Sequence, residues 1–352
     1  MLKNILIATG GTGGHIYPAI VTAEELRRRG CRIRFIGSFG LAGEKLTSRG
    51  FEFVNITAKG FVSKGLWQRG EALIVSIGSF IRCLREIQRF QPEVVIGFGG
   101  YSSFPAVIAG SVSGRKTMIH EQNAAPGLAN RILGRIVPMV AVSFKQTEVF
   151  FRGRKVVWTG YPMRAVPTGL SRDQALAAFG LQIERKTILI FGGSQGSRAI
   201  NQACLDFFES VNRDLPWQVI HLAGKGQAEG LRARYSRLDF PVYVQDYLEN
   251  MPQAYAAADL VIARSGAGTV TELGCLGLPA ILIPYPYANS HQEANARILA
   301  DHGAAVIIRE KDLNPAMLGD KIFLGLGLLR PALSKEIVFD AVLRLADEVE
   351  RL

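Results

Sequence analysis

The chain has 352 residues, the length of two domains at about 100–200 residues each, and its 48% hydrophobic and 20% charged content excludes a disordered or fibrous polymer. Its 38 glycines point to tight turns or close backbone approaches, and Cys31, Cys83, Cys204 and Cys275 are too widely spaced for a disulfide frame or a zinc site, which predicts buried thiols in a reducing cytosol. The surplus of 41 basic over 30 acidic residues, a net charge of +11, leaves nucleic acid, anionic lipid and phosphorylated substrate open. No stretch approaches the ~20 apolar residues of a membrane span, and Gly10–Gly14 break the first apolar run too early for a signal peptide.

In chain order, Asn4–Thr9 reads as a strand that ends in the loop Gly10-Gly-Thr-Gly-Gly14, with an amphipathic helix over Ala19–Arg29. Further strands are expected at Arg32–Gly37, Phe51–Ile56, Glu93–Gly97, Lys116–His120 and Met139–Ser143, separated by helix-length segments, which predicts a parallel α/β sheet. Gly160–Leu170 is rich in proline and glycine, and Ser171-Arg-Asp-Gln174 has the spacing of a capping box. The pattern then restarts: Thr187–Phe191 runs into Gly192-Gly-Ser-Gln-Gly196, and strands follow at Gln218–Leu222, Val242–Val244, Leu260–Ala263, Ala280–Ile283 and Ala304–Ile308. Leu333–Leu352 reads as a helix charged on one face. The expected organisation is two Rossmann-like doubly wound domains, 1–162 and 163–332, facing a cleft, with the helix of 333–352 packing back toward the first.

A glycine loop between strand and helix gathers backbone N–H groups and the positive helix end into a phosphate site. The dinucleotide pattern G-x-G-x-x-G fails because Ile16 stands where its last glycine belongs, and G-x-x-x-x-G-K-[ST] is absent, so NAD binding and P-loop hydrolysis are disfavoured. A third loop, Arg264-Ser-Gly-Ala-Gly-Thr269, opens a helix carrying Glu272. Two readings of Glu272 stay open: a capping box with Thr269, or a carboxylate for ribose hydroxyls.

Six motifs, Gly10-Gly-Thr-Gly-Gly-His15, Phe98-Gly-Gly-Tyr101, His120-Glu-Gln-Asn123, Gly192-Gly-Ser-Gln-Gly196, Arg264-Ser-Gly-Ala267 and His291-Gln-Glu-Ala-Asn295, occur in order and at intervals that resemble the MurG family. That family, within glycosyltransferase family 28, comprises the bacterial N-acetylglucosaminyltransferases of peptidoglycan synthesis, with the two-domain GT-B fold; the resemblance spans about residues 3 to 350.

The resemblance implies transfer of GlcNAc from UDP-GlcNAc to the MurNAc C4 hydroxyl of undecaprenyl-diphosphate-MurNAc-pentapeptide, lipid I, giving lipid II with inversion. It implies a donor site of Thr12, Gly13, Asn123, Arg164, Ser194, Leu248, Arg264, Ala267, Glu272, His291, Gln292 and Asn295, and an acceptor site of Gly14, Tyr101 and Ser102. His15, at a helix start whose dipole favours neutral imidazole, is the leading candidate for the base that takes the acceptor proton, the alternative being that it satisfies the loop or hydrogen-bonds the sugar, and Glu121 is the second candidate. His120 reads as a structural strand-end residue. No D-x-D occurs, which suits a transferase that needs no cofactor or obligatory metal and stabilises UDP with protein donors.

A lipid acceptor gives the positive charge an address. Residues 61–90 carry Lys64, Arg69, Arg82, Arg85 and Arg89, with Ile74, Ile77, Ile81 and Leu84 at helical spacing beside Trp67, Leu73 and Phe80, the composition of an interfacial membrane helix; the alternative is an ordinary helix packed on the sheet. Gly110 stands where the family often has an aromatic residue near this surface. The resemblance thus implies a peripheral protein on the cytoplasmic face of an anionic membrane, contacts with other cell-wall synthesis proteins, and no nucleic-acid partner. The rival readings are another GT-B lipid glycosyltransferase, a UDP-GlcNAc 2-epimerase, and a non-enzymatic nucleotide-sugar-binding subunit.

Overall fold

Strand β1, Asn4–Gly10, carries Ile5, Leu6, Ile7 and Ala8, all fully buried, as a central parallel strand covered on both faces requires. The computed structural model describes residues 3–10, 13–40, 42–57, 66–164, 169–193, 195–211, 215–287, 291–328 and 337–352, with the backbone alone for 66–76. Around β1 lie β2 (Arg32–Ser38), β3 (Glu52–Asn55), β4 (Val94–Gly97), β5 (Lys116–Glu121), β6 (Met139–Val142) and β7 (Lys155–Trp158), paired in parallel in the order β3-β2-β1-β4-β5-β6-β7. Helices α1 (Gly13–Arg28), α2 (Ala42–Thr47), α3 (Leu66–Phe90), α4 (Phe104–Val112) and α5 (Leu128–Leu133) connect them.

The second unit repeats the scheme. Its strands β8 (Lys186–Phe191), β9 (Trp217–Leu222), β10 (Val242–Gln245), β11 (Leu260–Ala263), β12 (Ala280–Leu282) and β13 (Ala305–Ile307) are ordered β10-β9-β8-β11-β12-β13. Helices α6 (Arg172–Phe179), α7 (Arg198–Ser210), α8 (Ala228–Tyr235), α9 (Met251–Ala257), α10 (Ala267–Leu276), α11 (His291–Ala300) and α12 (Pro315–Leu326) accompany them, and α13 (Ala341–Arg351) follows. Both sheets are doubly wound and parallel, as the sequence predicts.

The chain divides into one unit of Met1–Arg164 plus Val338–Leu352 and a second of Ala165–Ile337. Helix α13 belongs to the first unit: Leu345, Ala346 and Val349 are fully buried in the same core as Ile20 and Leu26 of α1. Arg29, just past the end of α1, holds Asp347 at 2.6 Å and Glu350 at 2.8 Å. At the other end, Ser171 caps α6 by accepting from the Gln174 backbone N–H at 3.2 Å.

Several boundaries differ from the sequence expectation. Helix α1 starts at Gly13, six residues before Ala19, and carries Pro18 in its second turn; the bond this forfeits is to the carbonyl of exposed Gly14, which water can satisfy. Strand β7 is absent from the sequence expectation, and α13 begins at Ala341, while residues 333–336 of the expected terminal helix lie outside the described residues.

Candidate active site

In the first sheet the strand order reverses between β1 and β4, and loops leaving the carboxyl ends of such a pair diverge to open a ligand crevice. One of these loops delivers His15 in the first turn of α1, and the other is Phe98-Gly-Gly-Tyr101. Gly99 takes the left-handed conformation at φ +81°, and a Cβ on it would lie 3.3 Å from the His15 ring and 3.2 Å from Asn130 Nδ2. Glycine here lets the backbone close against the imidazole. On its other side, His15 Nδ1 lies 2.9 Å from Gln122 Oε1.

Gln122 is almost wholly buried and leads to a second histidine. Its Nε2 lies 3.1 Å from His120 Nδ1, and His120 Nε2 lies 3.0 Å from the Gly160 carbonyl. Burial pushes the His120 pKa down to about 4, so this ring is neutral at pH 7 and has the structural place expected of it.

Glu121 requires a correction as a candidate base. Its carboxylate accepts from the Asn123 N–H at 2.9 Å, Asn123 Nδ2 at 3.2 Å, the Gly127 N–H at 3.1 Å and Asn130 Nδ2 at 2.9 Å, and it is buried. A carboxylate committed to four donors organises its loop and has no lone pair to spare for a substrate proton. The same bonds draw Asn123 into that loop. Ser102 is buried and donates to the Thr9 carbonyl at 3.1 Å, whereas Tyr101 and Gly14 are exposed and Gly13 opens α1. Thr12 lies outside the described residues. Arg164 ends the first stretch of the first unit, exposed, with its guanidinium 3.2 Å from Glu24.

The second sheet reverses between β8 and β11, and both expected glycine loops leave from there. Ser197 caps α7, its hydroxyl 3.4 Å from the Ile200 N–H, and Arg264 Nη2 donates to that hydroxyl at 2.8 Å. Arg264 also donates to the carbonyls of Ile283 at 3.1 Å and Pro284 at 3.3 Å and pairs with Glu310. Its buried guanidinium therefore ties the two loops and the end of β12 together. Ser194 lies outside the described residues. The loop after β9 is closed to a phosphate: Asp246 accepts from the backbone N–H groups of Gly226 at 2.7 Å, Gln227 at 3.0 Å and Ala228 at 2.7 Å, bonds that lower its pKa.

The capping reading of Glu272 is also corrected. Helix α10 already begins at Ala267 with Gly266 as its N-cap, so Glu272 stands in the second turn, beyond reach of a first-turn N–H. Instead it accepts from the Tyr255 hydroxyl at 2.7 Å, and burial raises its pKa. Ala267 is buried and Leu248 is half-buried in the segment between β10 and α9. Gln292 Oε1 accepts from the Tyr285 N–H at 3.0 Å, and Asn295, fully buried, donates to the Ser265 carbonyl at 3.1 Å. With half-buried His291, these residues place the start of α11 against the loop that opens α10.

On α3, Cys83, Ile87 and Phe90 face the core, and Glu86 is buried against Arg34 at 2.5 Å. Ile77, Ile81, Arg82 and Arg85 are exposed and Phe80 is half-buried, while the side chains of Trp67 and Ile74 lie outside the described residues. Gly110 corrects the surface expectation: a Cβ there would lie 2.8 Å from Val95 Cγ2, so this position faces the sheet. Among the described residues no helix is long and apolar enough to cross a membrane, and no group of three or more His, Cys, Asp or Glu could hold a metal ion.

The loops at both switch points belong to a recognisable class. Residues 5–142 match the glycosyltransferase family 28 N-terminal domain and residues 187–325 the glycosyltransferase family 28 C-terminal domain, which makes the protein a two-domain glycosyltransferase. It is 40% identical over 329 residues, 92% of this chain and 89% of the relative, to the UDP-N-acetylglucosamine--N-acetylmuramyl-(pentapeptide) pyrophosphoryl-undecaprenol N-acetylglucosamine transferase of Syntrophus aciditrophicus. The enzyme of the same name from Halothermothrix orenii is 41% identical over 320 residues, 88% of this chain and 86% of the relative. The crystal structure of Acinetobacter baumannii MurG superposes with a TM-score of 0.78 at 28% identity, covering 99% of this chain and 100% of that one. The chain belongs to this family of pyrophosphoryl-undecaprenol N-acetylglucosamine transferases.

Sequence reasoning missed Gln122 and Tyr255, the residues that hold His15 and Glu272. Gln122 lies inside His120-Glu-Gln-Asn123, but only the fold turns it toward a ring 107 positions away. Tyr255 had no local signal.

Proposed function

We propose that the protein transfers GlcNAc from UDP-GlcNAc to the MurNAc C4 hydroxyl of undecaprenyl-diphosphate-MurNAc-pentapeptide, with inversion at the anomeric carbon. The observation that carries this reading is 40% identity across 92% of the chain to a relative named for that donor and acceptor. The acceptor oxygen bonds to GlcNAc C1 as the C1–O bond to the β-phosphate breaks, UDP leaves with the electron pair, and His15 takes the acceptor proton. His15 suits this role because its Nδ1 is engaged by Gln122 while the ring sits at the mouth of a switch point.

On the donor side, the loop of residues 192–197 supplies backbone N–H groups for the diphosphate, and Glu272, steadied by Tyr255, is the ribose ligand. Arg264, Gln292 and Asn295 act chiefly by fixing the loops around the nucleotide, since their polar groups already bond within the unit. Tyr101 and Gly14 face the acceptor. Exposed Ile77, Ile81, Arg82 and Arg85 on α3 support peripheral docking to an anionic membrane surface, the cytoplasmic face in this reading.

Incubation of the purified protein with radiolabelled UDP-GlcNAc and a lipid I analogue tests the proposal. A labelled disaccharide-lipid is expected. UDP-GlcNAc turnover without acceptor would favour the epimerase, and label on diacylglycerol alone would favour another lipid glycosyltransferase.

A further inference from the structure

We propose that Gln122 and His120 are positioning residues that fix His15 as its Nδ1–H tautomer and so present Nε2 as the basic atom. The inference rests on the reading of His15 as the base and follows from hydrogen-bond polarity along one chain of groups.

The chain of groups starts at Gly160. Its carbonyl can only accept, so His120 Nε2, 3.0 Å away, carries the proton of that ring. His120 is fully buried and neutral at pH 7, so its Nδ1 is an acceptor. Next comes Gln122, whose Nε2 lies 3.1 Å from that Nδ1 and 3.1 Å from the His120 backbone carbonyl. Two acceptors face this end of the amide, and the carbonyl among them accepts whatever the state of the ring. The amide can therefore be placed only with its NH2 toward His120 and its oxygen toward His15.

Oxygen Oε1 then stands 2.9 Å from His15 Nδ1 and can only accept, so Nδ1 bears the hydrogen. A neutral imidazole with Nδ1–H has its lone pair on Nε2. Once Nε2 has taken the acceptor proton, the Nδ1–H···Oε1 bond persists to the imidazolium and strengthens with its charge.

Three features hold this arrangement still. Gln122 is 1% exposed, which denies it room to rotate. Gly99, at φ +81°, sets backbone against the His15 ring where a Cβ would lie 3.3 Å from it, and Gly100, at φ +77°, lines the same ring where a Cβ would lie 3.6 Å away. His120 is anchored to Gly160, where a Cβ would lie 2.5 Å from Val338 Cβ, so the far end of the chain of groups is packed as tightly as the near end.

The test is imidazole-nitrogen NMR on isotope-labelled full-length protein, with His15→Ala assigning the resonances, alongside transfer kinetics. In the unmodified protein His15 is expected to show a protonated Nδ1 and an unprotonated Nε2; the reverse tautomer overturns the proposal even if no variant folds. Gln122→Met removes both arms of the amide, and the expected result is a mixture of tautomers with kcat lowered about tenfold and KM for UDP-GlcNAc unchanged. Gln122→Glu keeps an acceptor opposite His15 Nδ1 but turns an oxygen toward His120 Nδ1 and the His120 carbonyl, so it is expected to keep hydrogen on His15 Nδ1 without restoring kcat; an unprotonated Nδ1 in this variant overturns the proposal. An inactive His15→Ala beside a fully active Gln122→Met overturns the positioning role alone. Full activity in His15→Ala removes the base reading and the positioning role with it, while the spectrum still reports which nitrogen carries hydrogen.

Discussion

Gly193 and Gly196 share one loop and one backbone region, at φ +90° and +75°, and differ in what a methyl group would meet. At Gly193 nothing lies within 4 Å. At Gly196 a Cβ would sit 2.2 Å from the Ala223 carbonyl oxygen and 2.8 Å from Gly224 Cα. That carbonyl is not free to retreat, because it accepts from Asn201 Nδ2 at 2.8 Å and the next residue donates its N–H to Asp246 O at 2.9 Å. Gly193→Ala should therefore cost only the left-handed penalty, about 1–2 kcal/mol. Gly196→Ala adds an overpacking cost of about 1–3 kcal/mol, for a total of about 2–5 kcal/mol. Urea unfolding checks this through the fluorescence of Trp217, the tryptophan of the second unit. Calorimetric titration with UDP should show weaker binding for Gly196→Ala, whose loop is displaced. Equal losses for the two variants, or a larger loss at Gly193, would refute the reasoning.

Acid should weaken each unit through a buried histidine. Burial pushes His120 down to about 4 and His221 down to about 3 from an ordinary 6.5, so unfolding takes up protons: stability is complete above pH 6.5 and falls as pH drops below it. By pH 5, above the carboxylate range, each unit should have lost roughly 2 kcal/mol, and urea midpoints that stay flat between pH 7 and pH 5 would contradict this. Arg264→Lys keeps the charge but loses the fork that serves Ser197, Ile283, Pro284 and Glu310; a loss of about 2–4 kcal/mol in the same Trp217 transition is expected, and a change within about 0.5 kcal/mol would deny the tie. Reversing exposed Arg82 and Arg85 to Glu should weaken binding to anionic vesicles about 30-fold or more, at about 1 kcal/mol for each charge lost, and unchanged sedimentation with vesicles would retire the docking face.

Strand runs that stay apolar between polar or glycine borders were legible as they stand: Leu260–Ala263 is β11 to the residue, and the loops at Gly10 and Gly192 lie at strand ends as read. Such strands are buried on both faces, so local composition is enough to mark them. Strand β7 was not legible because Lys155-Val-Val-Trp158 is a short edge strand whose pairing with β6 is a tertiary fact. The start of α1 was not legible because Gly13, Gly14 and Pro18 are poor helix formers, and Pro18 in the second turn forfeits a bond to the Gly14 carbonyl. The spacing of Thr269 and Glu272 mimicked a capping box, but the true start at Gly266 depends on the end of β11. For the site, the motifs located the loops, while the division of labour inside them is set by burial. Glu121 is drawn inward by donors of the loop that follows it and Asn295 by the Ser265 carbonyl 30 positions away, and Gln122 reaches His15 only through the fold.

The most direct test of the central claim is the structure of the product. With UDP-GlcNAc and a lipid I analogue, the account predicts one UDP released for each GlcNAc transferred, with NMR showing an inverted anomeric centre bonded to the MurNAc C4 oxygen. Retention at that centre, attachment at another hydroxyl, or UDP release that does not depend on the acceptor would contradict it.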